Sequence, residues 1–405
     1  MDKEPRHDFQ RKLEQVSIRS RLMAYVAWRQ ECKLASDESK ALPAMPETVG
    51  PVSINLDPTT ACNYACPHCI DFDSLNSRAK HDHQRLVASL QNLIRDGLKS
   101  VILIGGGEPT LYPHFVELVR FLKQERMQVA IVSNGSNNAK IVEVAGVLSG
   151  KDWVRFSLDS GTNETFQAMH RPKRPISLDE ICGWVPKIHA VNPPISVGFS
   201  FIIVWDNATR DGGATVIENT QEIILAAQLA KNHGFNYISF KPFLTRFPNG
   251  AEVMHPNVML DLKQKLQLIR QSVMEAKDLE TDTFKVVEST NLRLLLSGEW
   301  EKFTDQPTIC HMTAFRQVLS PLGVFNCPAH RGIPKARLGD RELHSDPDGR
   351  HRARQSTAEQ MLAFDAHSEC RNVTCLYNPA NRFVQNLIDG REEIGEVLPD
   401  EDFFM

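Results

Sequence analysis

This chain of 405 residues has no long hydrophobic run and almost no net charge. Its most apolar stretches, Val101–Ile104 and Ile195–Trp205, fall well short of the roughly 20 residues needed to cross a bilayer. Met1–Glu14 is densely charged and lacks the apolar segment of a signal peptide. The 46 basic and 50 acidic side chains argue against a dedicated nucleic-acid surface. We therefore expect a cytoplasmic protein with neither a membrane nor a nucleic acid as partner.

The nine cysteines are an odd number, so they cannot all pair as disulfides. Cys62, Cys66 and Cys69 form a tight group, whereas Cys32 and Cys182 stand alone. The other four lie towards the C-terminus, at Cys310, Cys327, Cys370 and Cys375. In a chain without an export signal, grouped cysteines predict metal or redox ligands rather than disulfides.

Short apolar runs alternate with longer amphipathic segments between residues 53 and 241, which predicts right-handed βαβ crossovers and a parallel sheet. The predicted strands are Ser53–Leu56, Ser100–Ile104, Gln128–Ser133, Trp153–Leu158, Ile195–Val204 and Asn236–Lys241. The predicted helices between them are Gln84–Asp96, His114–Glu125, Asn138–Leu148, Leu178–Val191 and Ile217–His233. Six such strands predict an α/β fold, as an open or partly closed barrel with functional loops at the carboxyl ends of its strands.

Outside this region the pattern is less regular. Helical periodicity covers Asp8–Lys33 and Val258–Ala276, and Cys310–Cys327 predicts a hairpin that turns at Gly323. Arg331–Gln355 is rich in charge, glycine and proline, which predicts a solvated loop or a partly disordered insertion. The expected division is a helical extension with a linker (1–50), the α/β core (51–250), a helical connector (251–305) and a small C-terminal domain (306–405).

The first cysteine group directly follows the first predicted strand. Spacings of three and then two residues suit three corners of a cubane iron–sulfur cluster, and the fourth iron would remain open to another ligand. A zinc site completed by a histidine such as His68 or His81 is the alternative.

A glycine-rich turn, Gly105-Gly106-Gly107-Glu108-Pro109, ends the second predicted strand. Glycine lets a ligand approach the backbone closely, and Glu108 supplies a carboxylate that could bind an ammonium group. Alone, this turn would be an ordinary strand-to-helix connection.

Together, Cys62-x3-Cys66-x2-Cys69 and Gly106-Gly107-Glu108-Pro109 resemble the radical S-adenosylmethionine (SAM) enzymes, over roughly Ser53–Phe243. The resemblance implies a partial (βα)6 barrel, a 4Fe–4S cluster held by the three cysteines, and SAM chelating the fourth iron. It also implies SAM contacts by Gly106, Gly107, Glu108, Pro109, His68, Ser133, Asn134, Ser157 and Asp159. His68 departs from the family pattern, in which an aromatic residue usually stands near the adenine. Ser133-Asn134 and Ser157–Asp159 are also common turn residues.

The four C-terminal cysteines resemble the shortened, or Twitch, form of the SPASM domain found in many radical SAM enzymes. The sequence departs from that pattern because three residues rather than four separate Gly323 from Cys327. The resemblance implies one auxiliary 4Fe–4S cluster held by Cys310, Cys327, Cys370 and Cys375, with structural zinc as the alternative.

The resemblance thus implies an oxidoreductase that forms a 5′-deoxyadenosyl radical, which takes hydrogen from a sugar, a nucleoside or another metabolite. A dehydrogenation with electron transfer to the auxiliary cluster is one outcome, and an epimerisation is another. A flavodoxin- or ferredoxin-type protein would supply electrons. Cys182 is a weak candidate hydrogen donor, since a lone cysteine is commonly a small buried hydrophobe. The alternatives are a maturase acting on a ribosomal peptide or protein, and a non-enzymatic electron carrier or zinc-stabilised interaction protein. Met1–Gly50 is too short for the leader-binding winged-helix module that such maturases often carry.

Overall fold

The computed structural model describes residues 8–210, 213–246, 250–346 and 349–405. The strands are β1 Ser53–Leu56, β2 Ser100–Leu103, β3 Gln128–Ser133, β4 Trp153–Ser157, β5 Ser196–Ile203, β6 Thr209–Arg210, β7 Ala214–Thr215, β8 Tyr237–Pro242, β9 Thr245–Arg246, β10 Glu252–Val253, β11 Lys285–Glu288, β12 Arg316–Ser320, β13 Gly323–Phe325 and β14 Arg337–Gly339. The helices are α1 Phe9–Leu13, α2 Val16–Asp37, α3 His83–Arg95, α4 Phe115–Gln124, α5 Asn138–Ala145, α6 Asn163–His170, α7 Leu178–Cys182, α8 Val185–Val191, α9 Ile223–Asn232, α10 Leu262–Lys277, α11 Thr290–Ser297, α12 Arg350–Ala363, α13 Ala366–Glu369 and α14 Asn378–Ile388. Among these helices, none combines the length and the apolarity that a bilayer span would require.

A single sheet of ten strands, in the order β11-β8-β5-β4-β3-β2-β1-β12-β13-β14, organises the molecule. The neighbours from β11 to β12 pair in parallel, and β13 pairs antiparallel with both β12 and β14. The six predicted strands are confirmed as the middle of this array. Because they are parallel, their carboxyl ends meet at one edge, where polar side chains from distant parts of the sequence come together.

The helices pack onto the sheet because each carries one apolar stripe. In α3, Leu86, Leu90 and Leu93 recur at helical spacing and are buried, and Asp82 caps the first turn by accepting a hydrogen bond from the Arg85 N–H. The buried residues of α4 follow the same spacing. These stripes complete the main apolar core around β1 to β5 and β8.

Two predicted helices are interrupted in the structure. The helix predicted over Asp8–Lys33 breaks at Gln15, whose backbone bridges Leu398 and whose side chain also bonds to the C-terminal segment. The helix predicted over Leu178–Val191 is divided into α7 and α8, since Pro186 in the first turn of α8 lacks the N–H that would continue α7. Helix α6 was not predicted, because its eight residues bury only Phe166, Met169 and His170 and show little periodicity.

The interpretation of Arg331–Gln355 as a solvated or disordered insertion is wrong. Arg331 is only 4% exposed. The segment also forms β14 and begins α12 at Arg350, while residues 347–348 lie outside the described residues. The segment 251–305, expected to be helical, contributes β11 beside β8. The high charge of this segment led to a prediction of solvent exposure. The guanidinium of Arg331 is instead buried beside two carboxylates of the protein, Asp57 and Asp71.

The N-terminal helices and the C-terminal segment share a second apolar core. Tyr25 and Trp28 of α2 pack there with Phe315, before β12, and Phe383 of α14. The two ends of the described chain are thus joined, and α2 is held near the four C-terminal cysteines. The expected hairpin is confirmed as β12 and β13, with Gly323 at its turn.

Gly323→Ala should destabilise this hairpin strongly. Gly323 has φ of +143°, and a Cβ atom there would lie 2.8 Å from the Gly339 carbonyl oxygen. We expect the free energy of unfolding, measured in denaturant, to fall by about 2–4 kcal/mol. The control Gly390→Ala has φ of +68° but nothing within 4 Å, so its cost should be about 1 kcal/mol. Equal losses in the two variants would show that crowding at the turn is unimportant.

Candidate functional site

The loop after β1 brings Cys62, Cys66 and Cys69 to one cavity of about 540 Å³ at the carboxyl edge of the sheet. The loop is held by backbone bonds, with the Cys69 N–H donating to the Cys66 carbonyl and the Ala65 N–H to the His170 carbonyl. The predicted trio of thiols therefore lines a common space.

The electrostatics of these thiols favour a cationic centre. Burial raises the pKa of Cys66 well above its ordinary value, and the neighbouring Cys69 and Cys62 raise it further. Burial also raises the pKa of Cys69 to about 12. Three neighbouring thiolates repel one another. A cationic metal or cluster bound to their sulfur atoms would neutralise this negative charge and stabilise the ionised form. The donor set fits three ligands of a 4Fe–4S cluster.

The glycine-rich turn packs directly on the cysteine loop. The Glu108 N–H donates to the Ala61 carbonyl oxygen at 2.8 Å. A Cβ atom at Gly107 would lie 2.4 Å from the Thr59 carbonyl oxygen. Gly106 has φ of +77° and donates its N–H to Asp71. These glycines therefore allow the glycine-rich turn to pack closely on the cysteine loop, in addition to allowing a ligand to approach the backbone.

Glu108 links the ends of two strands. Its buried carboxylate accepts hydrogen bonds from the Thr110 N–H and hydroxyl, from the Ser133 hydroxyl at 2.8 Å and from the Asn134 N–H at 2.7 Å. Burial raises its pKa despite these donors. Pro109 starts the short 3-10 turn that places Thr110. The predicted SAM residues on β2 and β3 are thus brought together.

Asp159 and two histidines form the other side of this cavity. The His68 Nε2 lies 3.1 Å from the Asp159 carboxylate, which also accepts the Ile202 N–H. Burial opposes ionisation of Asp159, but the hydrogen bond from His68 and the field of His170 hold its pKa below the ordinary value. Ser157 lines the same cavity. His81, the other histidine of the zinc alternative, instead contacts the Asp57 carbonyl.

His170 was not predicted as a site residue. Its Nδ1 lies 3.4 Å from the Cys66 sulfur, and its Nε2 donates to the Leu158 carbonyl at 2.9 Å. Burial lowers its pKa to about 4, which keeps the ring neutral near pH 7. Cys66, His68 and His170 lie close enough to share a metal ion, but both rings already contact Asp159. The sequence signal for His170 was only its position after the fourth predicted strand.

The four C-terminal cysteines also meet, around a second cavity of about 130 Å³. They come from the loops before and after the β12–β13 hairpin and from the turns that flank α13 and precede α14, so folding alone brings them together. Burial raises the pKa of Cys327 to about 11, and burial with neighbouring thiols raises the pKa values of Cys370 and Cys375. The His330 Nε2 lies 3.4 Å from the Cys370 sulfur. This thiol set fits a second metal or iron–sulfur centre.

The two cavities share walls. Leu244, Glu252, Asn291 and Leu376 line both of them. A molecule in the larger cavity would therefore lie between the two cysteine groups. Cys182, the weak hydrogen-donor candidate, is fully buried in the main apolar core and is not among the residues lining either cavity.

Comparison with known proteins identifies the first site. Residues 56–240 match the model of the Radical SAM superfamily, and they contain the cysteine loop and the glycine-rich turn. This part of the chain is a radical SAM domain. Proteins of this superfamily bind a 4Fe–4S cluster and SAM, and they are enzymes, which removes the electron-carrier and zinc-protein alternatives.

Two sequence relatives differ in how much of their length is matched. An S-adenosylmethionine-dependent nucleotide dehydratase of Selenomonas ruminantium is 28% identical over 251 residues, which are 58% of this chain and 89% of the relative. The mycofactocin maturase MftC of Mycobacterium tuberculosis is 35% identical over 125 residues, which are 29% of this chain and 30% of the relative.

Two solved structures share the fold. SuiB of Streptococcus suis, bound to precursor peptide SuiA, aligns with a TM-score of 0.52 and 14% identity over 75% of this chain and 66% of that chain. The protein anSMEcpe with bound AdoMet aligns with a TM-score of 0.51 and 14% identity over 87% of this chain and 93% of that chain. At these identities the likeness concerns the fold alone.

Arg331 connects the radical SAM domain to the second cysteine group. Its Nε lies 2.9 Å from an Asp57 oxygen at the end of β1, and its Nη1 lies 2.8 Å from Asp71, just beyond Cys69. Asp71 in turn accepts the Gly106 N–H at 3.2 Å. Since Arg331 lies four positions after Cys327, its guanidinium ties β1 and the two motif loops to the segment that carries this cysteine.

Arg331→Met should destabilise the protein because it leaves the buried Asp57 without its cation and Asp71 with the more distant Arg246, 3.8 Å away. We expect the free energy of unfolding, measured anaerobically in denaturant, to fall by about 3–5 kcal/mol. The control Arg352→Met removes an arginine whose side chain is 73% exposed and pairs with Asp346, so its cost should be about 1 kcal/mol or less. A similar small cost in both variants would contradict the assigned role of Arg331.

Proposed function

We propose that this radical SAM enzyme removes hydrogen from a small molecule held in the cavity between its two cysteine groups. The observation that carries the proposal is the larger cavity, which Cys62, Cys66, Cys69 and Glu108 line and which shares walls with the cavity of the other four cysteines. When bound and reduced, a 4Fe–4S cluster at Cys62, Cys66 and Cys69 would supply the electron for reductive cleavage of SAM into methionine and a 5′-deoxyadenosyl radical.

The chain's own residues bind and orient the reactants. Cys62, Cys66 and Cys69 would hold the cluster. Glu108 holds the ends of β2 and β3 in place through its hydrogen bonds to Thr110, Ser133 and Asn134. The residues predicted to contact SAM are therefore positioned before SAM binds.

The second cysteine group supports an oxidation. An auxiliary 4Fe–4S cluster held by Cys310, Cys327, Cys370 and Cys375 would accept the electron left on the substrate after hydrogen abstraction. With loss of a proton from the substrate to solvent, this would complete a dehydrogenation. On this proposal residues 306–405 form the auxiliary domain, 251–305 the connector and 1–50 an extension. A flavodoxin- or ferredoxin-type protein would reduce the first cluster.

A small substrate is favoured by size and by relatives. A cavity of about 540 Å³ falls within the usual range of small-molecule pockets. The relative matched over 89% of its length is named a nucleotide dehydratase, whereas the named maturase is matched over only 30% of its length. Peptide modification remains the second candidate, which SuiB with its bound precursor peptide brings forward.

Cys66→Ala should abolish reductive cleavage of SAM. Cys66 is the middle ligand of the predicted trio, and its loss should prevent a stable first cluster. We expect 5′-deoxyadenosine formation by anaerobically reconstituted, dithionite-reduced protein to fall to background. Cys32→Ala is the control, because Cys32 is buried in the second apolar core and should leave the product level unchanged. Full SAM cleavage by the Cys66 variant would refute the proposal.

Metal analysis separates an auxiliary cluster from zinc. Two cubane clusters require about eight irons per chain. Replacing Cys327 and Cys375 by alanine together should reduce the iron to about four per chain, while the first cluster still cleaves SAM. About four irons and one zinc in the unaltered protein would instead show that the second cysteine group is a structural zinc site.

A further inference from the structure

Three neighbouring strands direct polar side chains into the larger cavity. In the register of the sheet, Ser157 of β4 pairs with Ser200 of β5, Arg155 pairs with Gly198, and Lys241 of β8 pairs with Ile202. Residues two apart on a strand face the same side. On the cavity side of the sheet, Arg155 therefore precedes the level of the serine pair by one position, and Lys241 lies one position beyond it towards the carboxyl edge. The four side chains that line the cavity at these levels are Arg155, Ser157, Ser200 and Lys241.

The two cations converge on this serine level, where Asp159 is the acid whose charge acts on both of them. Lys241 Nζ donates to the Ser200 hydroxyl at 3.1 Å, and Arg155 is near enough to Lys241 to lower its pKa, after burial as the main cause. The Arg155 Nε is buried and has no hydrogen-bond acceptor, and the guanidinium carbon lies 5.1 Å from the centre of the Trp153 ring. Among the described residues, no carboxylate lies within ion-pair distance of either cation.

The acidic groups of the cavity are already engaged elsewhere. Asp159 accepts from His68 and Ile202, and Glu108 accepts four hydrogen bonds. Glu252 lies 3.9 Å from Arg246, and burial raises its pKa to about 7. Two half-buried cations that share a wall are costly unless an anion completes the site.

We propose that Arg155 and Lys241, with the Ser200 hydroxyl between them, bind an anionic oxygen group of the substrate, a phosphate or a carboxylate. The proposal rests on the proposed function and adds the chemical class of the substrate to it. The planar guanidinium can donate two hydrogen bonds to an oxyanion, and the ammonium supplies a point charge.

The position of the two cations assigns them to the substrate rather than to SAM. The predicted SAM contacts lie at or beyond strand ends, around Glu108 for β2 and β3 and at Ser157 and Asp159 for β4. Arg155 instead lies inside β4, two residues before its end, and Lys241 lies on β8, which β5 separates from β4. An anion held there would direct the rest of the substrate towards the carboxyl edge, where hydrogen is removed.

The experiment is anaerobic calorimetric titration of the SAM-loaded holoenzyme at constant ionic strength. The probes are inorganic phosphate and pyrophosphate in one arm and succinate in the other, so that the two sources of oxyanion are compared. We expect saturable binding of at least one probe, weakened at least tenfold in Arg155→Gln and in Lys241→Gln separately. Lys241→Arg should restore part of the loss, and Lys263→Gln, an exposed lysine that does not line the cavity, should bind as the unaltered protein does.

Each outcome decides the proposal. SAM affinity within twofold of the unaltered protein in both glutamine variants supports it. Loss of SAM affinity in place of probe affinity would assign the cations to the carboxylate of SAM and overturn it. No saturable probe binding by the unaltered holoenzyme would also overturn it, even if a variant fails to fold. Because 5′-deoxyadenosine formation is measured separately, its absence would refute the proposed function while leaving a positive titration intact.

Discussion

The buried guanidinium of Arg331 is the interaction on which the arrangement of the site depends. Asp57 and Asp71 would otherwise repel each other inside the protein, and burial already raises the pKa of Asp57 well above its ordinary value. Arg331 neutralises both carboxylates and is donated by the segment that follows Cys327. The cysteine loop and the glycine-rich turn are therefore held in place by a residue from the C-terminal region.

This dependence explains why the C-terminal segment is an integral part of the sheet. Strand β12 pairs in parallel with β1, so the hairpin that carries Cys327 continues the same sheet as the radical SAM domain. The second cysteine group consequently faces the larger cavity across shared walls. A substrate between the two cysteine groups would be near both of them. The proposed oxidation requires this position, because hydrogen would be removed at the first group and the electron left on the substrate would pass to the second.

The first site could be predicted from the spacing of nearby residues, whereas features that depend on pairing between distant segments could not. The six middle strands follow from patterns within short windows, and the structure confirms them. The positions of Cys62, Cys66 and Cys69 and the turn before Glu108 follow from similar short patterns, and these residues line one cavity. Strand β11, the pairing of β12 with β1 and the buried role of Arg331 depend on contacts between distant segments. A charge-rich segment is expected to be exposed to solvent. This expectation fails for Arg331, because Asp57 and Asp71 from another part of the fold supply the counter-charge. His170 was similarly indistinct in the sequence, because a histidine after a strand has no spacing pattern of its own.

The central claim is that one iron of the first cluster lacks a cysteine ligand and is open to SAM. Electron paramagnetic resonance of the reduced cluster tests it directly, in protein whose auxiliary cysteines are replaced so that one signal remains. Addition of SAM should shift the g-values of that signal, because its amino and carboxylate groups bind the open iron. A spectrum that SAM leaves unchanged would contradict the account.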